Sequence, residues 1–427
     1  MSKLLIWGKN YHRICVLDSN NYSNTFPSAN SWHKYDMIAA FGSIGEFIPE
    51  GDNNLESLEA FRLSSGDWLF GHLSYDLKNQ IEALSSGHPD NINFPETGFF
   101  IPEYIFILSG KTLELGWHSN STDESKIINL VGEIEDITSP EPVINKTGQI
   151  KSVISKNQYL QAVKNIKTHI QKGDIYEVNF CQEFYSREAE IDPVTTWLRL
   201  IKISPTPFSC FYRFKDKYLL CASPERFIKK ADNRIISQPI KGTSARGNTN
   251  EEDSMLLEML SRDPKERAEN IMITDLVRND LSKIATRSSV KVDELCKIFP
   301  FPGVFQMQSL VTAELPVGIS FMDIIKATFP MGSMTGAPKV RAMEIIEKYE
   351  KSCRGLYSGA VGYISPEMDL DFNVVIRSIQ YNQTDSYLSF MVGGAITSLS
   401  VPEKEYCECL LKATAILRVL EKPVAQT

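Results

Sequence analysis

Two pairs of glutamates lie at helical spacings that turn each pair toward the interior of the protein. Glu266 and Glu269 follow Asp263-Pro264, which is typical of a helix N-cap with proline at the first helical position. The face that carries both glutamates continues with aliphatic residues, so we expect it to point inward. For Glu266 alone, a capping-box contact with Asp263 is an equally good interpretation.

The second pair, Glu405 and Glu408, lies on a stripe that runs through Lys412 into aliphatic residues. Ser400-x-x-Glu403 resembles a capping box that opens this helix. An ordinary surface pair of Glu408 and Lys412 is the alternative interpretation. Two inward-facing glutamate pairs would repel each other unless a cation lay between them. Because oxygen ligands without histidine or cysteine favour magnesium, the spacing predicts a Mg²⁺ site.

Lys241 lies in a glycine-containing turn, PIKGT, directly after a predicted strand at 234–238. A lysine in such a turn is usually solvated. Beside apolar walls it can instead lose its proton and act as a nucleophile. Lys241 is therefore the candidate nucleophile, and Thr243 of the same segment is a further catalytic candidate.

Two glycine-containing segments could bind anions through their backbone amides. The segment 332–339, GSMTGAPK, leads into a helix whose free N–H groups attract a carboxylate or phosphate, and it lacks the GK[ST] ending of a P-loop. Gly393, Gly394 and Ala395, at the end of a strand, would let a second anion approach closely. Taken alone, each segment is more often a tight turn.

These residues must be positioned by helices and strands. Periodicity and capping signals predict helices at 157–172, 252–261, 264–282, 337–351 and 402–421, and strands at 218–221, 234–238, 358–364 and 387–397. The order lacks a regular βαβ alternation, which favours an α+β fold with mainly antiparallel strands. A polar stretch at about 119–150 predicts a connection between an amino-terminal lobe, 1–120, and a catalytic region, 150–427.

Composition argues against several classes of protein. The 427 residues carry a formal net charge of −8 without a dense run of lysine or arginine, so we expect no nucleic-acid partner. Apolar runs stay well short of the roughly 20 residues that span a bilayer, so we expect no membrane association. Eight scattered cysteines include no CxxC pair, which argues against a zinc site and suits a cytoplasmic protein.

Seven segments between about 150 and 420 together resemble the chorismate-utilising enzymes. In chain order they are GDIYEVNFCQEF (173–184), PIKGTSARG (239–247), DPKERAENIMITDLVRNDL (263–281), FPMGSMTGAPKVRAMEII (329–346), RGLYSGAVGY (354–363), VVIRS (374–378) and GGAITSLSVPEKEY (393–406). The resemblance implies a two-lobed α/β architecture in which antiparallel sheets pack against each other with helices outside.

The resemblance also implies a metal site and a substrate site. The family holds magnesium between two acidic helices, which matches Glu266 and Glu269 with Glu405 and Glu408. Of these, Glu269 and Glu408 are implied as direct ligands. Further implied contacts are a small hydroxyl residue beside the substrate ring, Ser333, and a set that meets the substrate carboxylates: Tyr357, Arg377, Lys412 and the backbone amides of Gly393, Gly394 and Ala395.

Three positions favour one branch of this family. Members that aminate carbon 4 of chorismate have a lysine where anthranilate-forming members usually have alanine, and Lys241 occupies that place. In the aminating members the lysine amine adds to ring carbon 2 as the 4-hydroxyl leaves, and ammonia then attacks carbon 4 and expels the lysine. Glu177 stands where water-using members have a lysine, and Gln306 replaces a histidine that anthranilate formation uses for proton transfer.

Amination requires a source of ammonia, and the sequence shows no glutaminase with a Cys-His-Glu triad. The resemblance therefore implies a separate glutamine amidotransferase subunit as partner. Anthranilate formation is the nearest alternative, and Gln306 also allows a non-catalytic chorismate-binding subunit. Asp18-Ser19 is similar to part of a tryptophan effector site in anthranilate-forming members; here it holds an effector or is an ordinary turn after a strand.

Overall fold

Two large antiparallel sheets form the frame of the computed structural model, which describes residues 1–21, 32, 34–49, 54–118, 124–138, 145–301 and 304–421. The described strands are β1 (Arg13–Asp18), β2 (Met37–Phe41), β3 (Gly45–Phe47), β4 (Leu69–Leu73), β5 (Thr97–Ile101), β6 (Tyr104–Ser109), β7 (Thr112–Trp117), β8 (Lys151–Ser152), β9 (Glu177–Ser186), β10 (Phe208–Phe214), β11 (Lys217–Ser223), β12 (Arg226–Ala231), β13 (Arg234–Gln238), β14 (Ile240–Ala245), β15 (Lys291–Phe301), β16 (Val304–Glu314), β17 (Gly336–Ala337), β18 (Ala360–Ile364), β19 (Leu370–Asn373), β20 (Ser378–Asn382) and β21 (Tyr387–Ile396).

The strand order brings together segments that are distant in the chain. The first sheet runs β17-β9-β21-β20-β11-β10-β1-β2-β6-β7, with β8 beside β9. The second runs β14-β16-β13-β12-β19-β18-β4-β5-β3, with β15 beside β16. Strands from before and after the polar stretch at 119–150 therefore share both sheets. The lobe boundaries, 1–120 and 150–427, stay predictions.

Helices cover the outer faces of these sheets. They are α1 (Ser2–Gly8), α2 (Asn54–Ser65), α3 (Lys78–Ile81), α4 (Glu124–Asp136), α5 (Lys156–Gln171), α6 (Pro193–Ile203), α7 (Asn250–Arg262), α8 (Pro264–Ser282), α9 (Phe321–Thr328), α10 (Lys339–Tyr349) and α11 (Pro402–Val419). The five predicted helices and four predicted strands are all present, with ends within two residues of the prediction. Across the described ranges, no helix has the length and apolar character needed to cross a bilayer.

Apolar side chains fill three interfaces between these layers. Residues of the first sheet pack against α5, α6 and α11, as Trp197 and Ile416 illustrate. A second interface joins the two sheets face to face, with Tyr212 from one and Phe100 from the other. The third packs α8 and α9 on the second sheet, with Ile273 at its centre. Each fully buried side chain of this size contributes about 1.5–3 kcal/mol through removal of apolar surface from water. The predicted α+β fold with packed antiparallel sheets and outer helices is confirmed.

The predicted starts of α8 at Pro264 and α11 at Pro402 are both confirmed, whereas the capping box suggested at each helix is absent. Asp263 caps α8, because its carboxylate accepts hydrogen bonds from the backbone N–H groups of Lys265 at 2.8 Å and Glu266 at 3.0 Å. The backbone N–H of Asp263 donates to Leu260, so the capping-box interpretation of Glu266 is wrong. Ser400 does not cap α11, because its hydroxyl accepts from the N–H of Thr397 at 3.0 Å within the preceding turn.

Helix α4 lies within the stretch that was predicted to be a plain connection. Its Ile127 and Leu130 are buried in the core beneath the first sheet. The flanking polar residues dominated the sequence pattern, whereas a short apolar stripe is enough to dock a helix that already has a core to pack against.

Candidate active site

The two acidic helices present their glutamates to a common region at one end of the sheets. Glu269 of α8 and Glu405 of α11 are buried, at 7% and 5% exposure. Glu266 is half-buried, and the side chain of Glu408 is 48% exposed. Helix α8 thus turns its carboxylates inward as the spacing predicts, while on α11 the more buried carboxylate is Glu405.

Two glycines, Gly394 and Gly242, lie close to charged side chains of the acidic helices. A methyl group added at Gly394 of β21 would lie 3.4 Å from Lys412 Nζ and 3.7 Å from Glu408 Oε1. A methyl group added at Gly242, which follows Lys241, would lie 3.2 Å from Glu266 Oε2, and Gly242 has a φ of +97° that disfavours any side chain. Lys241 and Gly242 lie on strand β14 and not in the predicted turn. Because Lys265 of α8 also lies 3.5 Å from Glu405 of α11, strand β14, α8, the end of β21 and α11 converge on one site.

Glu269 lies in an environment that disfavours its charge. Burial raises the pKa of Glu269 to about 7; Lys241 lowers it and Glu177 raises it further. Within the described part of the chain, Glu269 Oε1 is buried without a hydrogen-bond partner. Lys265 Nζ, at 3.7 Å, forms an ion pair with this oxygen but is too far for a hydrogen bond. A buried carboxylate of this kind needs a cation to stabilise its charge.

Lys241 is buried, but it does not stand beside apolar walls alone. Its Nζ lies 3.1 Å from Glu177 Oε1, and the two side chains are 11% and 1% exposed. Burial by itself would lower the pKa of Lys241, but the charges of Glu177 and Glu269 and the bond to Glu177 outweigh it, so the net shift is upward. In this state the ion pair with Glu177 favours the ammonium form of Lys241, which runs against loss of the proton through burial alone.

Replacing Glu177 by glutamine is expected to lower the pKa of Lys241, because burial then acts against a smaller negative charge. Competitive acetylation of Lys241 across a range of pH, followed by mass spectrometry, measures this pKa. Glu183→Gln on the same strand is a matched control, since Glu183 accepts hydrogen bonds from Tyr387 and Ser389. An unchanged titration midpoint in Glu177→Gln would show that Glu177 does not control the lysine.

Glu225 is a candidate functional residue that the sequence reasoning missed. It is 4% exposed and lies between β11 and β12. Burial raises the pKa of Glu225 to about 7, while nearby Ser333 and Lys241 favour its charged form. The signal was an acidic residue in the run CASPERF, in the short connection between two predominantly buried strands. A carboxyl with this pKa retains a proton that it can give up near neutral pH.

Ser333 and Tyr357, two residues of the expected substrate site, are both buried. Ser333 is 4% exposed in a short 3₁₀ turn, and among the described residues its Oγ has no well-aligned hydrogen-bond partner. The hydroxyl of Tyr357 lies 3.5 Å from Cys181 Sγ. Ser333 lies near Glu225, and Tyr357 lies near Arg377, so both side chains are close to candidate functional groups.

The two predicted cationic contacts differ in their surroundings. Lys412 Nζ is paired with Glu408 at 2.8 Å and donates to the carbonyl of Gly393 at 2.9 Å. Arg377 has a left-handed backbone, with φ of +52°, and across the described ranges no carboxylate lies within 4 Å of its guanidinium. Burial lowers the pKa of Arg377, against the influence of Tyr357 and Glu408. Arg377 is the cation better placed to receive an outside anion.

The remaining predicted positions lie on strands. Gly393, Gly394 and Ala395 pair with β9 in the register of the first sheet. Thr243 is exposed on β14, opposite Gln306 of β16. Gln306 is 5% exposed. The catalytic role of Thr243 stays a prediction.

Asp18 and Ser19 lie in a separate pocket between the two sheets. Its lining includes none of the four glutamates of α8 and α11, which together form the acidic cluster: Glu266, Glu269, Glu405 and Glu408. The same pocket is lined by Arg226 and Lys229, which are paired with Asp371 at 2.9 Å and 3.2 Å. Buried charges beside an accessible cavity suit a small polar ligand. The effector role of Asp18 and Ser19 stays a prediction.

Comparison with known proteins gives a consistent result. The family model for chorismate binding enzymes matches residues 9–418. Aminodeoxychorismate synthase component 1 of Bacillus subtilis (strain 168) is 35% identical over 367 residues, which are 84% of this chain and 77% of that protein. Anthranilate synthase component 1 of Aquifex aeolicus (strain VF5) is 40% identical over 253 residues, 59% of this chain and 50% of that protein, so the match spans half the length of that relative.

Among solved structures, anthranilate synthase component I from Streptococcus pneumoniae TIGR4 superposes with a TM-score of 0.78 at 27% identity, covering 88% of this chain and 91% of that one. The fold expected from the resemblance is thereby confirmed. Since the family model spans nearly all of the described sheets and both acidic helices, the chain belongs to the chorismate-binding enzyme family.

Proposed function

We propose that this chain aminates chorismate at carbon 4, forming 4-amino-4-deoxychorismate, the precursor of 4-aminobenzoate. The observation that carries the proposal is the buried Lys241, set 3.1 Å from Glu177 and within the electrostatic reach of Glu225. A chain that only bound chorismate would have no need of a buried primary amine between two carboxyl groups. The relative from Bacillus subtilis, which matches over most of both chains, supports the same activity by its name.

The proposed reaction passes through a covalent adduct on Lys241. The neutral amine attacks ring carbon 2, the two ring double bonds shift, and the bond between carbon 4 and its hydroxyl oxygen breaks. Ammonia then attacks carbon 4, the double bonds shift back, and the lysine leaves carbon 2 as a neutral amine. The net reaction consumes chorismate and ammonia and yields the amino product and water.

Two carboxyl groups are suited to move the protons of this sequence. Glu177 can take the proton of the Lys241 ammonium, because the two atoms are 3.1 Å apart in a buried pair. Glu225 can donate a proton to the leaving hydroxyl, which then departs as water. The amino product returns a proton to Glu225, and Glu177 returns its proton to the released lysine.

Glu225→Gln is expected to lower turnover of chorismate with ammonium by about 10²-fold, because it removes the proton donor and leaves the shape of the site. Since the pKa of Glu225 is about 7, the intact enzyme should also lose activity as the pH rises through that value. The variant should lack this limb of the profile. Steady-state rates across pH measure both effects, and a full-rate Glu225→Gln would contradict the assignment.

The substrate has two carboxylates, and the site offers separate groups to meet them. The guanidinium of Arg377, which pairs with no carboxylate of the described ranges, and the hydroxyl of Tyr357 would receive one. Lys412, with the backbone amides near Gly393–Ala395, would receive the other once its pairing with Glu408 loosens. Ser333 would lie against the ring. Electrostatic contacts of this kind fix the ring relative to Lys241.

The donor set fits a magnesium ion. Glu266, Glu269, Glu405 and Glu408 supply only carboxylate oxygens, and the buried Oε1 of Glu269 has no hydrogen-bond partner among the described residues. As they stand, no three acidic, histidine or cysteine side chains in the described ranges converge closely enough to hold a metal ion. When bound, magnesium would supply positive charge for the substrate's ring carboxylate.

We also propose a glutamine amidotransferase subunit as the source of ammonia. The family model for chorismate binding enzymes matches residues 9–418, and a Cys-His-Glu glutaminase triad is not part of the predicted site. Free ammonium can replace such a partner in a test of the chemistry.

One assay tests the proposal against its rivals: the chain is incubated with chorismate, magnesium and ammonium, and the products are identified by mass. An amino product that keeps its enolpyruvyl group supports amination at carbon 4. Anthranilate with pyruvate would instead support the activity that the relative from Aquifex aeolicus carries in its name. Unchanged chorismate would support a non-catalytic chorismate-binding subunit.

A further inference from the structure

Lys265 places its ammonium group between the two acidic helices. It is the second residue of α8, and its backbone N–H donates to the capping carboxylate of Asp263 at 2.8 Å. Its Nζ lies 3.7 Å from Glu269 Oε1 on its own helix and 3.5 Å from Glu405 Oε1 on α11. The same ammonium group therefore bridges the two most buried members of the acidic cluster.

The position of Lys265 is unfavourable for α8 itself. A positive charge in the first turn of a helix opposes the positive end of the helix dipole. The carboxylates of Glu269 and Glu405, at 3.7 Å and 3.5 Å from its Nζ, offset this because opposite charges at such distances attract. The acidic cluster thus holds Lys265 in place, and the lysine in turn offsets the mutual repulsion of the carboxylates.

A metal ion held by both helices would need the space that this ammonium group occupies. Magnesium binds carboxylate oxygens at about 2.0–2.1 Å, and a second cation beside the same oxygens would repel it. The Lys265 side chain is 31% exposed, so it can turn its charged end to water while its stem stays against the protein.

We infer that Lys265 is an internal cation that occupies the metal position of the free protein and leaves it when a divalent cation binds. It is a positioning residue: it keeps the acidic helices together without metal and weakens metal affinity by competing for the same carboxylates. The inference rests on the proposed magnesium site, and it adds a residue that controls occupancy of that site.

Titration of Mn²⁺ into the metal-free full chain, followed by electron paramagnetic resonance and calorimetry, tests this inference. Lys265→Met is expected to bind Mn²⁺ about tenfold more tightly than the intact chain, since one competing charge is gone. It should also melt at a lower temperature in chelator and show a larger rise in melting temperature on addition of Mg²⁺.

Two further variants separate competition from general charge effects. Lys265→Arg keeps the charge and should keep the weaker affinity. Lys404→Met removes the same charge from an exposed position on α11 and should bind Mn²⁺ like the intact chain. If Lys265→Met folds poorly, Lys265→Gln, which keeps most of the stem, gives the same comparison.

The outcomes of the Mn²⁺ titration distinguish the role of Lys265 from the existence of the metal site. Unchanged or weaker Mn²⁺ affinity in both uncharged variants would overturn the role of Lys265 and leave the metal site intact. Absence of Mn²⁺ binding in the intact chain and in every variant would overturn the proposed metal site, and the inference about Lys265 with it.

Discussion

Replacing Lys241 with alanine is expected to lower turnover of chorismate with ammonium by about 10³-fold or more, the scale of loss when a group that acts in the transition state is removed. The substitution removes the only atom of the chain that is proposed to bond to the ring, so ammonia would have to displace the 4-hydroxyl directly. Chorismate affinity should change little, because Arg377 and Tyr357 remain.

The control for this prediction must separate chemistry from folding. Lys241→Ala leaves Glu177 buried without its ion-pair partner, which is destabilising by itself. The double variant Glu177→Gln with Lys241→Ala removes that charge and should melt closer to the intact chain, yet stay equally slow. A small primary amine added to the alanine variant should restore part of the rate if the lost group was a nucleophile.

The adduct can also be sought directly. With chorismate present and ammonia left out, the intact chain should gain the mass of chorismate less one water, on the peptide that contains Lys241. A Lys241→Ala variant that keeps full rate with ammonium would rule out covalent catalysis by this lysine.

Local signals in the sequence predicted elements well, because the groups that decide them are neighbours in the chain. Asp263-Pro264 determines where α8 begins, and the aliphatic stripe through Ile273 determines which face is buried. Ser400 shows the limit of such signals: its hydroxyl can accept from any nearby N–H, and Thr397 in the preceding turn competes successfully with the helix.

Contacts across the sheets could not be predicted in the same way. Glu177 opens β9 in the first sheet and Lys241 lies on β14 in the second, so their pairing depends on how the two sheets pack. The sequence identified Lys241 as a candidate nucleophile, but the direction of its pKa shift depends on Glu177 and Glu269. Glu225 was missed for the same reason, because its raised pKa follows from burial between strands that meet only in the fold.

The same dependence on distant contacts makes Arg354 a critical residue for stability. Its side chain is 1% exposed and forms a bidentate pair with Glu350, through Nε at 2.9 Å and Nη2 at 2.6 Å. The other guanidinium N–H groups donate to the carbonyl oxygens of Met334 at 2.7 Å and Asn179 at 2.9 Å and to the hydroxyl of Ser358 at 3.2 Å. One side chain thus joins the turn that carries Ser333 to strand β9.

Arg354→Met is expected to destabilise the chain by about 3–5 kcal/mol, because Glu350 would remain as a buried charge without its partner. The variant should also lose activity beyond its loss of folded protein, since the turn of Ser333 is no longer tied to β9. Urea unfolding followed by tryptophan fluorescence measures the first effect, and rates normalised to folded protein measure the second.

Two comparisons test whether the buried carboxylate of Glu350, left without its partner, causes the loss of stability. Adding Glu350→Gln to Arg354→Met removes the stranded carboxylate, so the double variant should recover part of the stability while staying impaired in rate. Arg341→Met breaks an exposed pair with Glu344 on α10 and should cost no more than about 1 kcal/mol, because water replaces the lost partner. Equal effects of Arg354→Met and Arg341→Met would show that the buried pair is not what holds the turn to the sheet.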